Sequence, residues 1–252
     1  MRKFLFYDNL VKGAGLGHLL ATYNYGLTLA QKSNLIFMPC EIICGHGFAK
    51  GEVEKNLGLG DFKEQRKEIL NWDFESIHHI PYQRSDNPVC ADFSLTRDYF
   101  RQCYSERKVF HKNLLNTDPE ITNITISIRR GDLATAGPSH PMWNRLKPSS
   151  WYLNTLEKVL DEHQIPSYRL LVFSDGDYET GQFADEYGQP ENPKEVFKNH
   201  QKDFIFSAGK KNGAMTFEHF HNIIESDVFI GSKSGFSEII RDVYHNGICI
   251  LP

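Results

Sequence analysis

The strongest constraint on the fold is a recurrence. Short apolar segments, rich in β-branched or aromatic residues and closed by Asp, Asn, Gly or Pro, alternate with stretches long enough for a helix. The segments are Phe4–Tyr7, Leu35–Met38, Ile124–Ile128, Leu170–Phe173, Phe204–Phe206, Val228–Ile230 and Ile248–Leu251. Their length and composition predict buried strands. Between them lie His18–Lys32, Leu95–Leu115, Ser150–Glu162, Thr216–Glu225 and Phe236–Tyr244, whose apolar residues recur at helical spacing. Strand, helix and strand in succession build crossover units, so the pattern predicts an α/β fold with mostly parallel sheets.

The alternation weakens from Gly45 to Asn123, where charge clusters such as Lys63-Glu64-Gln65-Arg66-Lys67-Glu68 replace strands, and resumes at Ile124. A boundary is expected near Asn116–Asn123, because Pro119 disfavours helix at Asp118. The expected domains are 1–120 and 121–252, each large enough at roughly 100–150 residues to bury its own core.

Composition excludes several partner classes. A mean hydropathy of -0.45 argues against a lipid-embedded segment, and no membrane span is expected. A formal net charge of -4 gives no general attraction to a phosphate polymer. Nucleic acid is therefore not expected, and any bound anion must be held by local cations. The opening run Met1-Arg2-Lys3-Phe4-Leu5-Phe6-Tyr7-Asp8 is too short for a signal peptide, so a cytoplasmic location is expected. The five cysteines are scattered, and Cys40 and Cys44 have no second close pair to complete a zinc site. Buried thiols in a reducing compartment are the expectation. Asn123-Ile124-Thr125 matches a glycosylation acceptor but leads into a predicted strand, so it is expected to be unmodified.

Four segments could carry chemistry. Lys12-Gly13-Ala14-Gly15-Leu16-Gly17-His18 follows a strand and opens a helix, where missing side chains and free N–H groups suit a phosphate or sugar. Its spacing departs from the dinucleotide fingerprint at His18, although Glu41 lies near where a ribose-binding acid would stand, so a nicotinamide enzyme and a purely structural turn stay open.

Thr125-Ile126-Ser127-Ile128 runs into Arg129-Arg130-Gly131-Asp132, placing two cations at the carboxyl end of a parallel strand, where α/β sheets bind ligands. Arginine suits a diphosphate because its planar fork meets two oxygens at once and keeps its charge. A solvated turn with a local salt bridge is the alternative. Ser226-Asp227-Val228-Phe229-Ile230-Gly231-Ser232-Lys233-Ser234-Gly235-Phe236-Ser237 offers a strand, then hydroxyls and backbone N–H groups; Ser234 or Ser237 could equally serve as a helix cap. Finally, Phe173-Ser174-Asp175-Gly176-Asp177 holds an Asp-x-Asp pair that could bind a divalent metal or simply turn the chain.

Together these segments resemble the superfamily of α1,2-, α1,6- and protein O-fucosyltransferases, with its Gly-rich first loop, His-x-Arg-Arg-x-Asp signature, Ser/Thr-Asp strand end and late Ser-x-Ser-(Ser/Thr)-Phe-Ser loop. The resemblance spans most of the chain and implies a GT-B-like fold, two Rossmann-like domains facing a central cleft. It implies an inverting, metal-independent glycosyltransferase that needs no cofactor beyond a nucleotide-sugar co-substrate, GDP-fucose first among donors, and a glycan or glycoconjugate acceptor. The C-terminal domain would hold the donor and the N-terminal domain the acceptor. By the same resemblance Arg129 would grip the diphosphate, supported by Arg130 and Asp132. Asp175 would lie near the nucleoside, Ser232, Ser234, Gly235 and Phe236 would cradle the phosphates, and Gly15, Gly17 and His18 would face the donor. Ser127 replaces the signature histidine, which helps bind the base in relatives, and His18 replaces the usual Asn.

Arg129 and Asp132 are therefore the expected catalytic residues, with Asp132, Asp8, Glu41 and His46 as candidate general bases beyond strand ends. The rivals are a UDP-sugar enzyme, metal-dependent through Asp175 and Asp177, and a non-catalytic protein that binds a nucleotide sugar or glycan.

Overall fold

In a computed structural model of the chain, the residues described are 2–7, 15–38, 41–42, 45, 47–60, 64–65, 67–68, 74–80, 88–136, 139, 141–176, 191–208 and 213–252. They divide into two compact units, 1–111 with 242–244, and 112–241 with 245–252.

The first unit is built on a three-stranded parallel sheet. Strand β1 (Arg2–Tyr7) lies between β2 (Ile36–Met38) and β3 (Phe74–Ile80). Phe4 and Leu5 point to opposite faces, yet both are buried, as a strand covered on both sides requires. Helix α1 (Leu16–Lys32) buries Leu16, Leu19, Leu20, Tyr23 and Leu27, and stops where Asn34 turns left-handed at φ 53°. Asn24 ties α1 to α3 (Pro88–Ala91) and the residue after it: its Nδ2 donates to the carbonyls of Cys90 and Asp92 at 3.1 and 2.9 Å.

Between β2 and β3 lies α2 (Glu52–Leu57), and α4 (Arg97–Ser105) follows α3. The predicted helix Leu95–Leu115 is thus shorter than its spacing suggested. Arg107 Nη1 donates to the Tyr104 carbonyl at 2.7 Å and closes the helix, and Phe110 beyond it is 85% exposed instead of continuing an apolar face.

The second unit carries five parallel strands: β4 (Thr122–Ile128), β5 (Tyr168–Ser174), β6 (Phe204–Ala208), β7 (Val228–Ile230) and β8 (Ile248–Ile250). Their spatial order is β6-β5-β4-β7-β8, the doubly wound arrangement in which the sequence of strands reverses between β4 and β7. Ile124, Ile126, Ile128, Leu170 and Val172 form one core with Tyr152, Leu156 and Val159 of α6 (Ser149–Glu162). The opposite sheet face includes Thr125 and Phe173, as the two-residue period of a strand dictates. The helices on this unit include α5 (Gly131–Ala136), α7 (Pro193–Val196), α8 (Gly213–Ile224) and α9 (Gly235–Ile239), the last running on into a π-helical turn over Ile240–Tyr244 whose residues 242–244 count with the first unit.

The division at His111 and Lys112 falls before the linker expected at 116–123, and hydrogen bonds explain it. Asn222 Nδ2 donates to the Lys112 carbonyl, Leu114 N–H donates to Asn222 Oδ1, and Asn116 N–H donates to Asn123 Oδ1. Residues 112–116 are thereby fastened to the second unit. The same contacts bury the Asn123 carboxamide, whose Nδ2 also donates to the Asn116 carbonyl at 3.1 Å. Among the described residues no helix is long and apolar enough to cross a membrane.

Candidate functional site at the strand switch point

β4 ends at Ile128 and β7 at Ile230, and Ile126 is the register partner of Ile230. The loops that follow, Arg129-Arg130-Gly131 and Gly231-Ser232-Lys233-Ser234, therefore leave the same end of the sheet from neighbouring strands. In an open α/β sheet the crevice outside the carboxyl ends at the point of strand reversal is where ligands bind.

The two arginines have different surroundings. Arg130 is 3% exposed, its Nη1 donates to the Arg129 carbonyl at 2.9 Å, and its Nη2 lies 3.6 Å from Glu191 Oε1. Burial lowers its pKa, while the carboxylates of Glu191 and Asp175 oppose that shift and favour the cation. Burial also pushes the neighbouring Tyr152 phenol up to about 12, with Arg130 acting in the opposite direction, so the phenol stays neutral. Glu191 Oε1 also accepts from the Ser149 N–H at 3.0 Å, which anchors it to the start of α6. Arg130 is thus a structural cation. Arg129 keeps 21% of its side chain exposed and is the more accessible of the two arginines.

Asp175, at the end of β5, organises the turn. Its Oδ1 accepts the Arg130 N–H at 2.6 Å and its Oδ2 lies 3.8 Å from Arg129 Nη1. Gly131, at φ +36°, makes room, since a Cβ there would stand 2.9 Å from Asp175 Oδ2. Ser174 Oγ donates to the Ile128 carbonyl at 2.8 Å and clips the ends of β4 and β5 together. Ser127 is a half-buried β4 residue in register with Phe173. Asp132 is the second residue of α5, and its side chain lies outside the described residues, as do Asp8, Cys40, Cys44, His46, Asp177 and the Lys12-Gly13-Ala14 part of the first loop.

After β7, Ser232, Ser234 and Ser237 form a buried knot of hydroxyls, with Ser232 Oγ 3.3 Å from Ser234 Oγ. Ser234 is the cap of α9: its Oγ accepts the Ser237 N–H at 3.2 Å and donates to Ser237 Oγ at 3.1 Å. Gly235 follows as the first helical residue, and Phe236 packs edge-on against Phe220 of α8 with centroids 6.0 Å apart.

Within the first unit, Gly15 caps α1, Gly17 is buried in its first turn and His18 beside it is half-buried. Glu41 pairs with Lys50 at 2.8 Å at the wall of a cavity of about 600 Å³ that Glu54, Arg107 and Lys108 also line. Cys90 is a buried thiol, and Cys103 and Cys249 are half-buried thiols, none of them in a disulfide. Among the described residues no group of three His, Cys, Asp or Glu side chains is placed to hold a metal.

Three contributors to the second unit's site escape sequence reading. Tyr152 lies on a helix face that reads as ordinary core, Glu191 follows a polar stretch without periodicity, and His219 of α8 lies within the field of Asp175. Only the folded chain brings them to the strand ends.

The second unit is a doubly wound α/β unit in which a partly exposed arginine and a serine-rich loop follow adjacent strand ends at the switch point. No family model matches the sequence, and no curated protein matches it. Among solved structures, it is similar to the iron-containing dodecameric glycosyltransferase TibC from enterotoxigenic E. coli H10407, with 11% identity and a TM-score of 0.42 over 99% of this chain and 57% of that one. It thus spans little more than half the length of TibC. It is also similar to POFUT1 in complex with GDP, at 10% identity and a TM-score of 0.47, covering 99% of this chain and 98% of that one. At such identities and TM-scores the likeness assigns neither family nor activity.

Proposed function

We propose that the second unit grips the diphosphate of a nucleotide sugar and that the protein is an inverting, metal-independent glycosyltransferase. GDP-fucose is the donor we favour and a glycan hydroxyl the acceptor. The observation that carries this reading is that Arg129 and the Ser232–Ser234 loop follow the carboxyl ends of two adjacent parallel strands, β4 and β7, at the switch in strand order.

The acceptor oxygen attacks the anomeric carbon from the face opposite the diphosphate. One C–O bond forms as the bond from the anomeric carbon to the phosphate oxygen breaks, the electron pair leaves with the diphosphate, and the hydroxyl proton passes to a base. Asp132 is our candidate for that base. Negative charge builds on the departing oxygen, so a fixed cation there stabilises the transition state more than the ground state. Arg129 supplies the cation, and the Ser232 hydroxyl and backbone N–H groups of the Ser232–Ser234 loop supply hydrogen-bond donors.

A metal-dependent UDP-sugar reading would require Asp175 to ligate the ion. That carboxylate already accepts the Arg130 N–H and lies 3.8 Å from Arg129, a poor seat for a cation. Arg129→Ala tests the proposal: sugar transfer should vanish while the melting temperature holds. Unchanged turnover would sink it, and so would wild-type protein that binds a nucleotide sugar without acceptor-dependent release of the diphosphate. Melting shifts with GDP, UDP and dTDP identify the nucleotide, GDP being expected to give the largest.

A further inference from the structure

We propose that Asp175 is an internal competitor for the diphosphate, a carboxylate that holds Arg129 by charge and is exchanged for phosphate oxygens on binding. This rests on the proposed role of Arg129. The geometry points to it because the two carboxylate oxygens have separable roles. Oδ1 accepts the Arg130 N–H at 2.6 Å, a short bond that fixes the turn. Oδ2 lies 3.8 Å from Arg129 Nη1, too far for a hydrogen bond but close enough for charge attraction.

A backbone N–H and a guanidinium are the two kinds of donor that a phosphate oxygen seeks in such a crevice. The side chains of Arg129 and Asp175 keep 21% and 17% of their surface in solvent, so a soluble anion can reach the pair. Gly131 preserves the arrangement, since a Cβ there would lie 2.9 Å from Oδ2 and 3.1 Å from Cγ. The consequence is a grip that is deliberately incomplete: any diphosphate must displace Asp175 from Arg129 and then sit near its negative charge. Affinity for donor and for product falls together, and the leaving nucleotide is released sooner.

Asp175→Asn separates the two roles, because its Oδ1 still accepts the Arg130 N–H while the charge at Oδ2 is gone. Asp175→Ser removes the charge and leaves a small acceptor. Calorimetric titration of wild type and both variants with inorganic pyrophosphate and with GDP is the test. Competition predicts about tenfold tighter binding of both probes in both variants, and loss of that gain when Arg129→Ala is added. Unchanged affinity, or weaker binding of both probes, overturns the inference in favour of a purely structural Asp175. Weaker GDP binding with unchanged pyrophosphate binding overturns it in favour of a contact to the nucleoside. The proposed function fails separately, if diphosphate binds but no sugar is transferred. Wild type and variants that all ignore both probes would overturn both.

Discussion

The imidazole of His219 stacks on Phe173 with ring centroids 4.3 Å apart and an interplanar angle of 24°, and its Nε2 lies 3.0 Å from Ser207 Oγ. Burial lowers its pKa from 6.5 to about 4, against a smaller opposing pull from Asp175. At pH 7 both folded and unfolded chains hold this histidine neutral. As pH falls below 6.5 the unfolded chain takes up the proton first, so stability declines until about pH 4, where the native state protonates too. The loss from this residue is on the order of 3 kcal/mol. His200 and His245, whose pKa values burial also lowers, act in the same direction. Urea unfolding of His219→Phe between pH 4 and 7 should show a shallower acid decline than wild type.

Glu191 compensates a cation that is almost wholly buried. Replacing it with Gln leaves Arg130 inside the protein with the more distant Asp175 as its described anionic neighbour. A loss of about 2–4 kcal/mol is expected from denaturant midpoints. Glu191→Asp should recover part of it.

Two glycines of the first unit should respond very differently to alanine. Gly51 and Gly58 both adopt left-handed angles, at φ +74° and +69°, but Gly51 faces open space whereas a Cβ on Gly58 would lie 1.8 Å from the Cys103 carbonyl oxygen. Gly51→Ala should cost about 1 kcal/mol, the conformational strain alone. For Gly58→Ala the backbone of α4 must also move, and a loss above about 3 kcal/mol is expected. Chemical denaturation distinguishes the two.

Ser234 has a measurable structural duty apart from any ligand. Ser234→Ala should destabilise the protein by about 1 kcal/mol through loss of the α9 cap. Ser234→Gly should cost only a few tenths. If the hydroxyl also serves the diphosphate, pyrophosphate affinity should fall equally in both variants, separating capping from binding in one pair of titrations.

The strands that sequence reading found are those whose side chains are apolar on both faces, such as Ile124–Ile128 and Leu170–Phe173. Phe74–Ile80 escaped because Glu75, Ser76, His78 and His79 break the apolar run. It is an outer strand of its sheet, with His78 and His79 exposed, so solvent tolerates the polar residues. At the site, the strand-end positions of Arg129 and Ser232 were legible because short buried strands announce where they stop. Which arginine is sealed and which is accessible was not written in the local sequence, since it depends on Tyr152 and Glu191 arriving from α6 and from the segment before α7. Asp175 was expected beside a nucleoside; its seat against the Arg130 N–H follows from the pairing of β4 with β5.

The reversal of strand order between β4 and β7 has a consequence for assembly. The loops bearing Arg129 and Ser232 leave adjacent strand ends only through one of the longest-range strand pairings in the unit, fastened at its base by the Asn123 N–H donating to Asp227 Oδ2 at 2.7 Å. A nascent or truncated chain that stops short of β7 would carry both arginines yet lack the second of the two loops. The proposed diphosphate affinity would therefore be a readout of completed topology. A diphosphate that binds there should stabilise the whole second unit, slowing its unfolding as one body instead of protecting a single loop.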